Sequence, residues 1–116
     1  MNVTEEAWPP ELDALQAAPA QHRVLLETDH VRVLDTCIAP GERTPLHTHR
    51  WPAVHYVLSW SDFVRRDDQG TVLLDTRALA KQPEISTALW GEPLPAHTLE
   101  NVGTKFLHII STELKP

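Results

Sequence analysis

Two histidines stand two positions apart at His47 and His49, and a third, His97, follows much later in the chain. Alternate side chains of a β-strand point to the same face, so the imidazoles of His47 and His49 could converge on one ion. Imidazole suits zinc, iron, nickel and copper alike. The alternative interpretation is a surface strand with two solvated histidines. The spacing alone leaves both interpretations open.

The elements that must position these histidines are short strands. Segments rich in β-forming residues alternate with turns that contain glycine or proline. This pattern predicts an all-β sandwich or barrel. We predict strands over residues 24–27, 31–38, 47–49, 54–58, 62–66, 71–75, 88–90, 98–100 and 106–114, with a hairpin turn at 67–70 and a loop with a helical turn at 76–87.

The beginning of the chain differs from the rest. Pro9 and Pro10 could open a short helix over residues 11–18, because proline is tolerated in a first helical turn, and Pro19 would end it. We predict an N-terminal arm over residues 1–22, packed on the barrel or on a partner subunit, and a barrel domain over residues 23–116.

Size and charge narrow the range of partners. A chain of 116 residues fits one domain, and Cys37 is its only cysteine, so no internal disulfide can form. The formal charge is −6 and the basic residues are scattered, which argues against nucleic acid or an anionic membrane as partner. The first residues lack the features of a signal peptide, and we expect a cytoplasmic location.

Two segments resemble the conserved motifs of the cupin superfamily. Gly41 is followed by five residues and then by His47 and His49, as in the first motif, and His97 precedes Asn101 by four positions, as in the second. The resemblance covers roughly residues 31–114. It implies a double-stranded β-helix, or jelly-roll, barrel. It also implies one divalent metal ion (iron, zinc, nickel, manganese or copper) on His47, His49 and His97.

The chain departs from the motifs at several positions. Ala53 stands where the family has a glutamate ligand, Trp60 where it has a glycine, and Glu92, Pro93 and Leu94 where it has Pro-x-Gly. The resemblance therefore implies a three-histidine site without a carboxylate, similar to the iron centre of some cupin dioxygenases. Three protein ligands and an open position are typical of catalytic metal sites.

His55 lies two residues beyond Ala53 and should point to the same inner face. It could be a fourth ligand, or a buried histidine bonded to a neighbour. The place of the missing carboxylate is about 7 Å away along the strand, which is far for an imidazole. We therefore predict that His55 is a catalytic acid or base beside an open metal.

Other residues have weaker claims to a role. Arg43 and Arg50 flank the histidine pair and could clamp a carboxylate, but we expect them in solvent, together with His22 and His30. Cys37 is expected to be a buried, inert thiol. Four tryptophans and the apolar, proline-rich arm predict a homodimer.

Three functions remain open at this point. The first is a metal-dependent enzyme acting on a small organic molecule, either dioxygenase-like or a lyase or isomerase. The second is a non-catalytic cupin that binds a small ligand, and the third is a degenerate cupin with a role in assembly. Fold alone does not decide among them.

Overall fold

The computed structural model describes residues 8–116. Nine strands in this range form two antiparallel sheets, and a 3-10 turn at Pro10–Leu12 and a short helix precede them. The elements are α1 (Ala14–Ala17), β1 (His22–Glu27), β2 (Val31–Ile38), β3 (His47–His49), β4 (Ala53–Ser59), β5 (Phe63–Asp67), β6 (Val72–Asp75), β7 (Ala88–Gly91), β8 (Leu94–Asn101) and β9 (Leu107–Leu114).

The two sheets face each other across a shared interior. The first has the strand order β1-β2-β9-β4-β7, and the second has the order β3-β8-β5-β6. Ile38 and Leu107 of the first sheet pack against Phe63 of the second, and all three are buried. The predicted all-β fold is confirmed, and β2 and β3 have the predicted bounds. Strand β8 is longer than predicted and begins at Leu94.

The arm packs on the barrel of its own chain. Ala14 and Ala18 are fully buried, and Asp13 forms a parallel bridge to Thr48 in the histidine strand β3. The Asp13 carboxylate also caps α1 by accepting a hydrogen bond from the backbone N–H of Leu15. Residues 1–7 of the predicted arm lie outside the described residues. No helix within residues 8–116 is long and apolar enough to cross a membrane.

Arg32 anchors this arm to the barrel. Its side chain is buried, with 5% of the residue exposed. Its two terminal nitrogens donate to the carboxylate oxygens of Asp13 at 3.0 and 2.9 Å, and its Nε donates to Glu113 at 2.6 Å. Burial would lower the pKa of Arg32, but the two carboxylates outweigh it and raise the pKa further above its ordinary value. The guanidinium therefore ties α1, β2 and β9 together.

Cys37 is only half-buried rather than buried as predicted. Burial and the neighbouring Asp35 raise the pKa of its thiol, so the expectation of an unreactive cysteine still holds on electrostatic grounds.

We predict that Arg32→Ala lowers the free energy of unfolding by about 3–5 kcal/mol, because it leaves a buried carboxylate without its counter-charge. Arg23→Ala is the matched control. Arg23 pairs with Asp35 on the surface with 74% of its side chain exposed, and its removal should change stability by at most about 1 kcal/mol. Denaturant unfolding measures both changes. Equal losses in the two variants would show that the buried pair does not anchor the arm.

Candidate metal centre

A cavity of about 460 Å³ lies between the two sheets. One end is lined by histidines, and the rest is mostly lined by leucine, isoleucine and aromatic side chains. A concave, mainly apolar space with a few convergent polar groups is the usual form of a small-molecule site.

The three histidines of the predicted metal site converge at the polar end of this cavity. His47 on β3 and His97 on β8 are register partners, and their ring centroids lie 4.4 Å apart. His47 and His49 are two apart on β3, so both side chains face the cavity, although the register with β8 shifts between them. The His49 ring centroid lies 5.0 Å from that of His47 and 5.7 Å from that of His97.

A fourth histidine joins them, and the expectation that His22 is solvated is wrong. His22 is 5% exposed, and its ring centroid lies 4.9 Å from that of His47 and 5.2 Å from that of His49. One nitrogen from each of these three residues falls within 4.8 Å of the others, and His97 is not part of this set. The error arises because β1 begins at His22 and not at residue 24. Its partner in β2 is Thr36, which faces the cavity.

Hydrogen bonds at the back of each ring determine the tautomers. In three of the four histidines Nδ1 faces a backbone carbonyl, which can only accept a hydrogen bond, so Nδ1 carries the proton. The Nε2 lone pair is then left free, as it is in metal-binding histidines. The acceptors are the carbonyl oxygens of Ala18 for His22 (3.0 Å), Pro45 for His47 (2.8 Å) and Pro95 for His97 (2.7 Å).

The carboxylate of Glu113 is the acceptor behind the ring of His49, and no sequence pattern predicted this role. Its Oε2 lies 3.2 Å from Nδ1 of His49, and its Oε1 accepts from Arg32. Glu113 is 1% exposed, and it is the register partner of Ala53, where the family has its glutamate. Burial raises the pKa of Glu113, and the guanidinium of Arg32 opposes that rise. No motif marks this residue, because only the pairing of β4 with β9 brings it to the site.

The four rings are poised to be neutral near pH 7. Burial lowers the pKa of His22 to about 4 and that of His97 to about 2. Burial also lowers the pKa of His47, and burial together with the adjacent imidazoles lowers that of His49 well below its ordinary value. Metal binding needs unprotonated imidazole, so protons compete little with a metal ion at this site.

His55 faces the cavity, as predicted, but lies outside the group of four rings. Its Nδ1 is 2.7 Å from the hydroxyl oxygen of Ser111. Among residues 8–116, histidine ring contacts join His22, His47, His49 and His97 only. Burial lowers the pKa of His55, with a further contribution from Arg65. A β-carbon at position 91 would collide with this imidazole, so Gly91 makes room for it.

The remaining motif residues have structural roles. Gly41 adopts a φ of +80°, which favours glycine, and its N–H donates to the carbonyl of Asn101 at 2.9 Å. Asn101 is fully buried, and its Nδ2 donates to the carbonyls of Ile38 and Lys105. The two motif segments therefore hold each other in place.

The other candidate residues lie away from the cavity wall. Arg43, Arg50 and His30 are exposed, as predicted. His108 is half-buried and bonds to Asp35 at 2.6 Å. The arginine that does line the cavity is Arg65, which the sequence analysis did not single out.

No protein-family model matches this chain, and no curated protein matches it. Solved structures do. A cupin domain from Bordetella pertussis Tohama I is 16% identical, with a TM-score of 0.64 over 82% of this chain and 92% of that one. A double-stranded β-helix protein from Klebsiella pneumoniae is 17% identical, with a TM-score of 0.54 over 98% of this chain and 88% of that one.

A third structure agrees with these two. An RmlC-like cupin from Methanocaldococcus jannaschii is 12% identical, with a TM-score of 0.54 over 80% of this chain and 79% of that one. These likenesses confirm the fold that the two histidine motifs predicted. The chain folds as a cupin, a double-stranded β-helix.

Proposed function

We propose that this protein binds one divalent metal ion through the Nε2 atoms of His47, His49 and His97, with His22 as a fourth ligand. The observation that carries the proposal is the set of oxygen atoms that lie 2.7–3.2 Å from the four Nδ1 atoms. Each ring donates its Nδ1 proton to an oxygen behind it, which leaves the Nε2 lone pair free. Neutral, pre-oriented imidazoles are what a metal site needs, and a purely structural histidine cluster has no such requirement.

The donor set favours borderline metals. Four neutral imidazoles suit zinc, copper, nickel or iron, whereas manganese prefers oxygen ligands. The Glu113 carboxylate, which could supply oxygen, already accepts from Arg32 and His49. Four imidazoles would fill a tetrahedral site, so Lewis-acid or O₂ chemistry at a bound ion would need a fifth coordination position.

The size and lining of the cavity support the proposal that this protein is an enzyme acting on a small organic molecule. Its volume of about 460 Å³ lies within the roughly 300–1,000 Å³ typical of small-molecule sites. His55, bonded to Ser111, is placed to accept or donate a proton inside this cavity. Bound iron would favour a dioxygenase-like reaction, and bound zinc a lyase or isomerase. A non-catalytic ligand-binding protein and a degenerate assembly protein are the alternatives, and a chain that binds no metal would favour the last.

The proposed location is the cytoplasm. A single cysteine excludes an internal disulfide, and the formal charge of −6 with scattered basic residues does not suit nucleic acid or an anionic membrane surface.

We predict that His47→Ala and His49→Ala each abolish stoichiometric metal, and that His22→Ala lowers metal affinity. The reason is that each change removes a converging nitrogen donor. Metal analysis of protein purified without chelator or added metal measures the content, and competition with a chelator measures the affinity. His30→Ala is the matched control, because His30 is exposed and far from the cavity. Full metal content in both His47 and His49 variants would place the site elsewhere.

We predict that His55→Ala leaves the metal content unchanged and reduces any turnover about 100-fold or more, as expected for loss of an acid or base. The same metal analysis provides the first readout. Metal loss as large as that of His49→Ala would instead make His55 a ligand.

We also propose a homodimer that pairs through the outer face of the first sheet. Val54, Tyr56 and Leu58 are exposed on this face of β4, and Trp90, the register partner of Val54, is exposed beside them. A contiguous exposed apolar patch of this kind is typical of an interface.

We predict a dimer mass in light scattering at micromolar concentration and a monomer mass for Tyr56→Lys, because the change places a charge within the apolar patch. Leu73→Lys is the control, since Leu73 is an exposed leucine of the other sheet. A monomer mass for the unmodified chain would contradict the proposal.

A further inference from the structure

The cavity wall contains a cation, Arg65, that has no counter-ion among residues 8–116. Arg65 on β5 faces the interior next to its register partner Leu99 on β8, and both line the cavity. Within residues 8–116 no carboxylate lies within ion-pair distance of Arg65, and its Nε is buried without a hydrogen-bond partner. The next residue, Arg66, behaves differently and donates to Glu100 at 2.9 Å.

An unpaired guanidinium in such a place is unfavourable unless something binds it. The guanidinium carbon of Arg65 lies over the ring of Phe63, 5.6 Å from its centroid. Burial lowers the pKa of Arg65, and no nearby anion offsets this effect. The group nevertheless stays charged at neutral pH, because the pKa of arginine is so high. Arg65 is half-buried, and no carboxylate among residues 8–116 offsets the desolvation of its guanidinium.

Arg65 is close enough to the histidines to act on the same molecule. His97 is the inward residue that precedes Leu99 on β8, so Arg65 and His97 lie on neighbouring positions of one wall. The charge of Arg65 also contributes to the lowered pKa values of His47, His55 and His97. An anion bound at Arg65 would therefore lie beside the metal centre.

The rest of the wall limits what such an anion can be. Leu74, Leu107 and Ile109 present apolar surface, which suits a ligand with a hydrocarbon body. Trp60 also lines the cavity, and within residues 8–116 its buried Nε1 has no hydrogen-bond partner. Glu92, the one acidic residue on the wall, is exposed and accepts from the indole of Trp90 at 2.9 Å.

We propose that Arg65 binds the carboxylate of a small organic acid with a largely apolar body, held in the cavity beside the four histidines. The planar guanidinium offers the paired donors that a carboxylate accepts. The position of the acid beside a metal rests on the proposed function, in which the histidine end of the cavity holds the ion. The arginine site itself needs no metal.

Binding of model acids tests this directly. Hexanoate and benzoate are titrated into metal-free and zinc-loaded protein by calorimetry, with hexanamide and benzamide as neutral counterparts. We expect the acids to bind and the amides to bind about tenfold more weakly or worse, because a charge-assisted hydrogen bond contributes roughly that much. Arg65→Gln should weaken binding of the acids about tenfold or more, and Arg65→Lys should retain part of it. Arg66→Gln is the matched control and should bind as the unmodified chain does.

The variants allow a clear decision. Arg65→Gln removes a half-buried charge that has no carboxylate partner among residues 8–116, so it should unfold at a temperature no lower than the unmodified chain, which separates lost binding from lost folding. Unchanged affinity in Arg65→Gln, equal affinity for acids and amides, or no binding of either acid at millimolar concentration would overturn the proposal. Metal content is measured separately. A chain that takes up no zinc and still binds the acids through Arg65 would refute the metal centre and leave this inference standing.

Discussion

The contact between Arg32, Asp13 and Glu113 is the interaction on which the rest of the site depends. The buried side chains of Arg32 and Glu113 and the half-buried carboxylate of Asp13 bond to one another at 2.6–3.0 Å, and each belongs to a different part of the fold. Removing Arg32 would leave the Glu113 carboxylate in the interior without its counter-charge, which is far less favourable than the intact group. This constraint fixes the arm against the barrel and holds the Glu113 carboxylate where Nδ1 of His49 can donate to it.

The arm is part of the histidine cluster rather than an appendage. The carbonyl of Ala18, at the end of α1, accepts the Nδ1 proton of His22 and so sets the tautomer of that ring. Asp13 at the start of α1 is bound to Arg32. The position of the His22 ring therefore depends on the arm, and the position of the His49 ring depends on Glu113. Arg32 binds both the arm and Glu113. Ala53 stands where the motif has a glutamate. The carboxylate of its register partner, Glu113, instead orients the ring of His49.

Features that depend on local sequence could be predicted. Strands β2 and β3 follow from runs of β-forming residues and the His-x-His spacing, and the motifs identified the fold. Three residues of the site could not be predicted, because their positions depend on pairing between distant strands. The register partners that place these residues at the cavity are Thr36 for His22, Ala53 for Glu113 and Leu99 for Arg65. A one-residue change in any of these registers would turn the side chain to the opposite face.

In the proposed centre, four imidazoles hold one metal ion while Glu113 stays outside the coordination shell. A crystal structure of the zinc-loaded protein, with the ion located by its anomalous scattering, would show this arrangement. We expect one zinc ion at about 2.0–2.1 Å from Nε2 of His22, His47, His49 and His97. A zinc ion bound by an oxygen of Glu113, or one that leaves His22 uncoordinated and still bonded to Ala18, would contradict it.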